Sequence, residues 1–358
     1  MEALVLDTSF KSVGVIDDFE SFIWTDRYSE YGDFEIQTAP KANIISVANR
    51  GNYIYNKESD HVMIIESLNL TTDVEEGDKL LISGRSLESI LLRRIVWQLQ
   101  TVSAGTVDNV IRAILDKQII NSSSSRKISN FTYAAPGDSR FSSFTLSKTQ
   151  YTGDNVYDVV KNLCDIFDIG FKVTLNSSNQ FVFKAYYGID RSYNQMENPH
   201  VVFSPSYENI INSDYLESET DYANVALIAG EDQGNSRKYA ASSVGSSITG
   251  LNRREIFVDA RDIRSEDEEG NPISSSDYTK LLQNRGYEAL AEHPLLKAFD
   301  GDVETTKTYI YNQDYKLGDV IQIQNEYGYG TAMRVSEVVF SQDNNGFYIT
   351  PTFRTLPT

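Results

Sequence analysis

Three histidines, one cysteine and several dense groups of carboxylates are the residues of this chain that could do chemistry. A metal site needs His, Cys, Asp or Glu at ligand spacing on one or two elements. His61 stands in a turn, His200 follows Pro199, and His293 ends a predicted helix. None has a second ligand at that spacing on its own element, so no metal site is predicted. Cys164, beside Leu163 on the apolar face of a predicted helix, reads as a small core residue rather than a nucleophile. A single cysteine also rules out an intrachain disulfide. The run GEDQGNSR (230–237) has two glycines but no following Lys-Ser/Thr pair, and reads as a loop. No P-loop, dinucleotide fingerprint or HExxH is present. EDEEG (266–270) lacks the alternating ligand order of a calcium loop and reads as a solvated tip. Asp17-Asp18 could form a glycosidase pair, but acids are so abundant that such pairs carry no information. Tyr327 and Tyr329, beside Gly328 and Gly330, could stack on sugars; a hairpin tip making subunit contacts is the preferred reading. No catalytic, cofactor or metal residue is predicted, and the chain does not read as an enzyme.

The elements that would position these residues are mostly strands. The chain has 358 residues, 22 Tyr and 17 Phe, a mix that favours strands and turns and a chain of two or three domains. Its formal net charge of −19 and lack of a long Lys/Arg patch argue against phosphate-driven nucleic-acid binding. The N-terminal apolar run is too short for a signal peptide, and no run approaches the ~20 residues of a membrane span. From the N-terminus, hairpins and alternating segments such as Phe34, Ile36 and Thr38 predict about six short strands, a small barrel or sandwich, over 1–98. Helical spacing then appears in SLESILLRRIV and in GTVDNVIRAILDKQI. It is strongest in GDNVYDVVKNLCDIFDIG, which has an Asp154 or Asn155 cap and a Gly170 stop. With the hairpin FKVTL-NSSNQ-FVFKAYY these make 99–205 an α+β insertion. Strands resume over 206–358, interrupted by a polar run at 231–250 expected to be mobile. A helix over 276–293 lies within an insertion at about 262–300.

One β-unit is written twice. MIIESLNLTTDVEEGDKLLISG (63–84) matches MRVSEVVFSQDNNGFYITPTF (333–353), with Met63 against Met333, Ile65 against Val335, Leu68 against Val338 and Leu70 against Phe340. Turns fall between Asp73 and Gly77 and between Asp343 and Gly346; Gly51 and Gly318 open the preceding strand in each. Asp bonds its own backbone at the first corner and Gly supplies the positive φ at the exit. Any two hairpins share some of this punctuation. The reading favoured here is two related β-barrels flanking an α+β insertion, so that a trimer would present six similar units in a ring.

The chain resembles the tail hub proteins of long-tailed bacteriophages, also called tail-associated or baseplate hub proteins. The resemblance lies in LVLDTSFKSVGVIDDFESFIWTDRYSEYGDFEI (4–36), GDKLLISGRSLESILLRRIV (77–96), SETDYANVALIAGE (218–231) and YKLGDVIQIQNEYGYGTAMRVSEV (315–338), in that order and over nearly the whole chain. It implies a mainly β, multidomain chain with two tail-tube-like barrels and an α+β domain, forming a homotrimeric ring at the distal end of the virion tail. It further implies contacts with the distal tail ring protein, the tape-measure protein and receptor-binding proteins. DNA would pass through an opened hub without specific binding, and no cofactor or membrane anchor is implied. The chain ends just after the second expected barrel, so no lytic or fibre module is expected. The alternatives are a carbohydrate- or receptor-binding tail module and a tail-associated peptidoglycan hydrolase.

Overall fold

The computed structural model describes residues 1–75, 77–232, 234–246, 248–267, 269–303, 308–327 and 330–356. The chain divides into two compact units. The first is built from Met1–Ile90, Gly170–Tyr215 and Phe299–Thr355; the second contains Leu91–Ile169 and Leu216–Ala298. Of the expected segments, 99–205 is therefore split. Its hairpin of Gly170–Leu175 and Phe181–Tyr186 belongs to the first unit.

Thirteen strands form one sheet among the described residues. They are β1 (Ala3–Leu6), β2 (Ser12–Ile16), β3 (Ser21–Arg27), β4 (Asp33–Thr38), β5 (Tyr53–Asn56), β6 (Val62–Thr71), β7 (Lys79–Ser86), β8 (Val202–Phe203), β9 (Ile210–Ser218), β10 (Leu296–Val303), β11 (Val320–Gln324), β12 (Gly330–Asp343) and β13 (Gly346–Thr355). The order is β9-β10-β13-β12-β3-β4-β7-β6-β5-β1-β2, with β11 beside β12 and β8 parallel to β11. The alternation that predicts these strands is the alternation that buries them. In β4, Phe34, Ile36 and Thr38 are buried while Glu35 is exposed, and in β3 Phe22 and Trp24 are buried while Ile23 is exposed.

The chain is mainly β, but the two expected barrels are not separate bodies. Phe22, Trp24, Phe34, Met63 and Ile82 share one apolar core with Tyr315, Ile321, Met333, Phe340 and Phe353. The edge of β12 pairs with β3, from Glu337↔Arg27 to Asp343↔Ser21, so the sheet runs on from one repeat into the other instead of closing on itself.

In the second unit, helices form where apolar stripes recur. After α1 (Ala42–Val47, in the first unit) come α2 (Val107–Leu115), α3 (Val156–Ile166) and α4 (Ser275–Ala291). Asn155 caps α3, its side chain accepting from Tyr157 N, and Ser274 caps α4. The SLESILL segment forms a 3-10 helix, Leu87–Arg93, instead of an α-helix. The run at 231–250 is not simply a loop. It contains the strand Tyr239–Ser243, which pairs with Val225–Ala229, itself parallel to Glu255–Asp259. Small residues, Ala240 and Ser242, let that strand lie under α4. Gly286 of α4 allows the same close approach, since a Cβ there would fall 2.4 Å from Ile228 Cδ1. Among the described residues no helix is long and apolar enough to cross a membrane.

Candidate functional site

The two written copies of the β-unit occupy equivalent places in the sheet. Gly51 N donates to Ile65 O at 2.8 Å, and Gly318 N donates to Val335 O at 2.8 Å. In return Ile65 N donates to Asn52 O at 2.8 Å, and Val335 N to Asp319 O at 2.9 Å. Both glycines have positive φ, 91° and 90°, a region that disfavours any residue with a Cβ. Ile54 then pairs with Met63 as Ile321 pairs with Met333. Each long strand carries one extra residue immediately afterwards, Glu66 in β6 and Ser336 in β12, where the register against β7 or β13 slips by one. Beyond the bulge Leu70 meets Leu80, and Phe340 meets Ile349. At the tips, Asp73 Oδ1 accepts from Glu75 N (2.7 Å) and Asp343 Oδ1 accepts from Asn345 N (2.8 Å); Gly77 and Gly346 both have positive φ. The strand orders also match: β3-β4-β7-β6 in one repeat, β9-β10-β13-β12 in the other.

The repeats differ in what covers their edges. The far half of β12, 337–343, lies between β13 and β3. Arg27 fastens that joint, donating from Nε to Glu337 Oε2 at 2.6 Å and from Nη1 to Asp33 Oδ2 at 2.5 Å. The far half of β6, 67–71, pairs with β7 on one side, and among the described residues no strand pairs with its other side. Leu68 and Leu70 are exposed there, Leu70 by 57%. β9 stands at the end of the sheet order.

A buried polar cluster lies elsewhere in the first unit. His61 Nδ1 is 3.2 Å from Glu88 Oε1, close enough for an ion pair but not aligned as a hydrogen bond. Asp26 accepts from Trp24 Nε1 (2.8 Å) and from Ser59 Oγ (2.6 Å), and Glu88 Oε1 accepts from Val173 N (2.7 Å). Asp26, Ser59 and His61 line a cleft of about 280 Å³ with Lys172, Tyr186 and Tyr311. The Ser59 hydroxyl donates to Asp26 and accepts from the backbone N–H of His61, and both side chains are buried. Sequence spacing missed this cluster because its three charged members sit on different elements.

The remaining candidates are dispersed. His200 Nε2 bonds Gln195 O and His293 Nδ1 bonds Asp221 O; Cys164 is buried on α3. Asp18 pairs with Lys41. In the 266–270 run Asp267 accepts from Glu269 N and Asn271 N, while Glu268 lies outside the described residues. Gln233 of the 230–237 run lies outside them too, as do Gly328 and Tyr329; Tyr327 is exposed. Among the described residues no group of three His, Cys, Asp or Glu is placed to hold a metal.

No curated protein sequence matches the chain. The fold is similar to that of a tail protein from Neisseria meningitidis MC58, with 13% identity over 99% of this chain and 96% of that one and a TM-score of 0.57. It is also similar to prophage tail protein gp18 from Listeria monocytogenes EGD-e, with 14% identity, 99% and 94% coverage and a TM-score of 0.56. The 43 kDa tail protein of prophage MuSo2 from Shewanella oneidensis is a third likeness, with 11% identity, 100% and 99% coverage and a TM-score of 0.58. The model of the Siphovirus ReqiPepy6 Gp37-like proteins matches residues 2–353, and the chain therefore belongs to this siphovirus protein family.

Proposed function

We propose that the chain is a structural subunit of the distal tail tip, a homotrimeric hub ring rather than an enzyme. In this reading six four-stranded repeats, two per chain, alternate round a channel. Within a chain β12 joins β3; between chains β6 joins the equivalent of β3, which is β9. The observation that carries the proposal is the unpaired far half of β6, whose counterpart in β12 is covered by β3. An exposed edge of this kind is a ready template for another strand. Such a ring meets a hexameric distal tail ring on one side and a three-fold tip on the other, plugs the channel, and opens to release DNA.

The sheet face opposite the core suits a conduit. Its charged residues include Arg27, Lys79, Arg85, Arg334 and Arg354 beside Asp33, Glu35, Glu66, Glu337 and Asp343, so its cations are matched by carboxylates. Arg27 and Arg85 are committed to carboxylates, Arg85 to Glu66 at 2.6 Å. A wall of this kind gives DNA phosphates little to bind. Multi-angle light scattering on the purified chain tests the ring. The expected mass is that of three chains, and a monomer at the highest soluble concentration would remove the proposal's basis.

A further inference from the structure

We infer that charge decides which edges join in the ring, and that Ser67 and Asn69 are the specificity-determining positions; this rests on the ring reading above. The in-chain joint is charged: Arg27 of β3 holds Glu337 of β12. At the place equivalent to Glu337 the first repeat has Ser67, and the whole far half of β6, SLNLT, carries no charge. The far half of β12, EVVFSQD, carries Glu337 and Asp343.

β9 occupies the place of β3 but has no Lys or Arg anywhere in IINSDYLES. Its charges are Asp214, which is exposed, and Glu217, which pairs with Lys297 of β10 at 3.2 Å. Like charges facing each other across paired strands are destabilising. The far half of β12 is taken by β3 of its own chain, and a β9 edge that displaced β3 there would set Asp214 and Glu217 against Glu337 and Asp343. A β9 edge laid on a second β9 would set those acids against themselves. The far half of β6 meets β9 without that opposition. Ser67 and Asn69 share the open face of the sheet, opposite Ser83 and Leu81, so a side chain there does not enter the core.

Two double variants of the full chain test this by sedimentation velocity at low and high salt. Ser67→Glu with Asn69→Asp is expected to weaken trimer formation at least tenfold at low salt and to recover as salt screens the repulsion. Ser67→Lys with Asn69→Lys is expected to keep the trimer or tighten it, with the opposite salt response. If both doubles weaken the trimer equally, β6 is in the joint but charge does not select it, and the inference fails while the ring stands. If neither changes the trimer, or the parent chain is a monomer, the joint itself is wrong and both fall. Thermal melts check folding. Should either double melt lower than the parent, Thr71→Glu and Thr71→Lys, at the exposed end of β6, repeat the comparison with the same expected signs.

Discussion

At the scale of the residue, His61 is the side chain with the most at stake. Burial alone would lower its pKa, but Asp26 and Glu88 outweigh burial and raise it from 6.5 to about 9. Burial pushes the Asp26 carboxyl up; for Glu88 burial pushes the same way, but His61 overrides it and holds the group below its usual range. A cation whose pKa is raised by folding stabilises fully below its unfolded value. That contribution is lost as pH rises through the folded value. The melting temperature is therefore expected to fall between pH 6.5 and 9. His61→Gln, which strands two buried carboxylates, is expected to cost on the order of 3 kcal/mol at neutral pH and to flatten that slope. Thermal melts across the pH series check both, and a slope that survives in the variant would clear His61 of responsibility.

At the scale of the element, the two opening glycines share a φ but not their surroundings. A Cβ on Gly318 would lie 2.4 Å from Tyr28 Cε2, whereas one on Gly51 would meet only Thr8 Cγ2 at 3.7 Å. Gly51→Ala is expected to cost about 1 kcal/mol from backbone strain alone. Gly318→Ala is expected to cost about 3 kcal/mol, because overpacking is added. Urea unfolding of the two variants compares them directly, and equal costs would mean that Tyr28 yields freely. Hairpins of this kind were legible in the sequence because one-sided burial writes itself as alternation and tight turns demand Asp and Gly. The helices α2, α3 and α4 were legible for the same reason at a different period. Two things were not. The pairing of β12 with β3 joins edges more than 300 residues apart, and an edge carries no mark of its partner. The strand at Tyr239–Ser243 is short, small-residued and polar on its exposed side, so its pattern looks like a loop until α4 is packed on it.

At the scale of the whole molecule, the repeats are alike in pairing and unlike at their tips. β6 and β7 are joined by residues 72–78, while β12 and β13 are joined by Asn344 and Asn345 alone. In the proposed ring, long and short tips alternate and mark three positions of six. Val74 at the long tip is fully exposed. Replacing 72–78 with Asn-Gly is expected to change unfolding free energy by no more than about 0.5 kcal/mol and to leave the trimer intact. A loss of folding stability would mean the tip is part of the fold after all. The bulges at Glu66 and Ser336 reach further than their size. Side chains alternate along a strand, so deleting either residue would roll the remainder of its strand over. In β12 the buried Val338 and Phe340 would swing into water while Ser341 turned inward; in β6, where all of 67–71 is exposed, Leu68 and Leu70 would trade faces with Ser67 and Asn69. Parity along each long strand thus hangs on a single surplus residue.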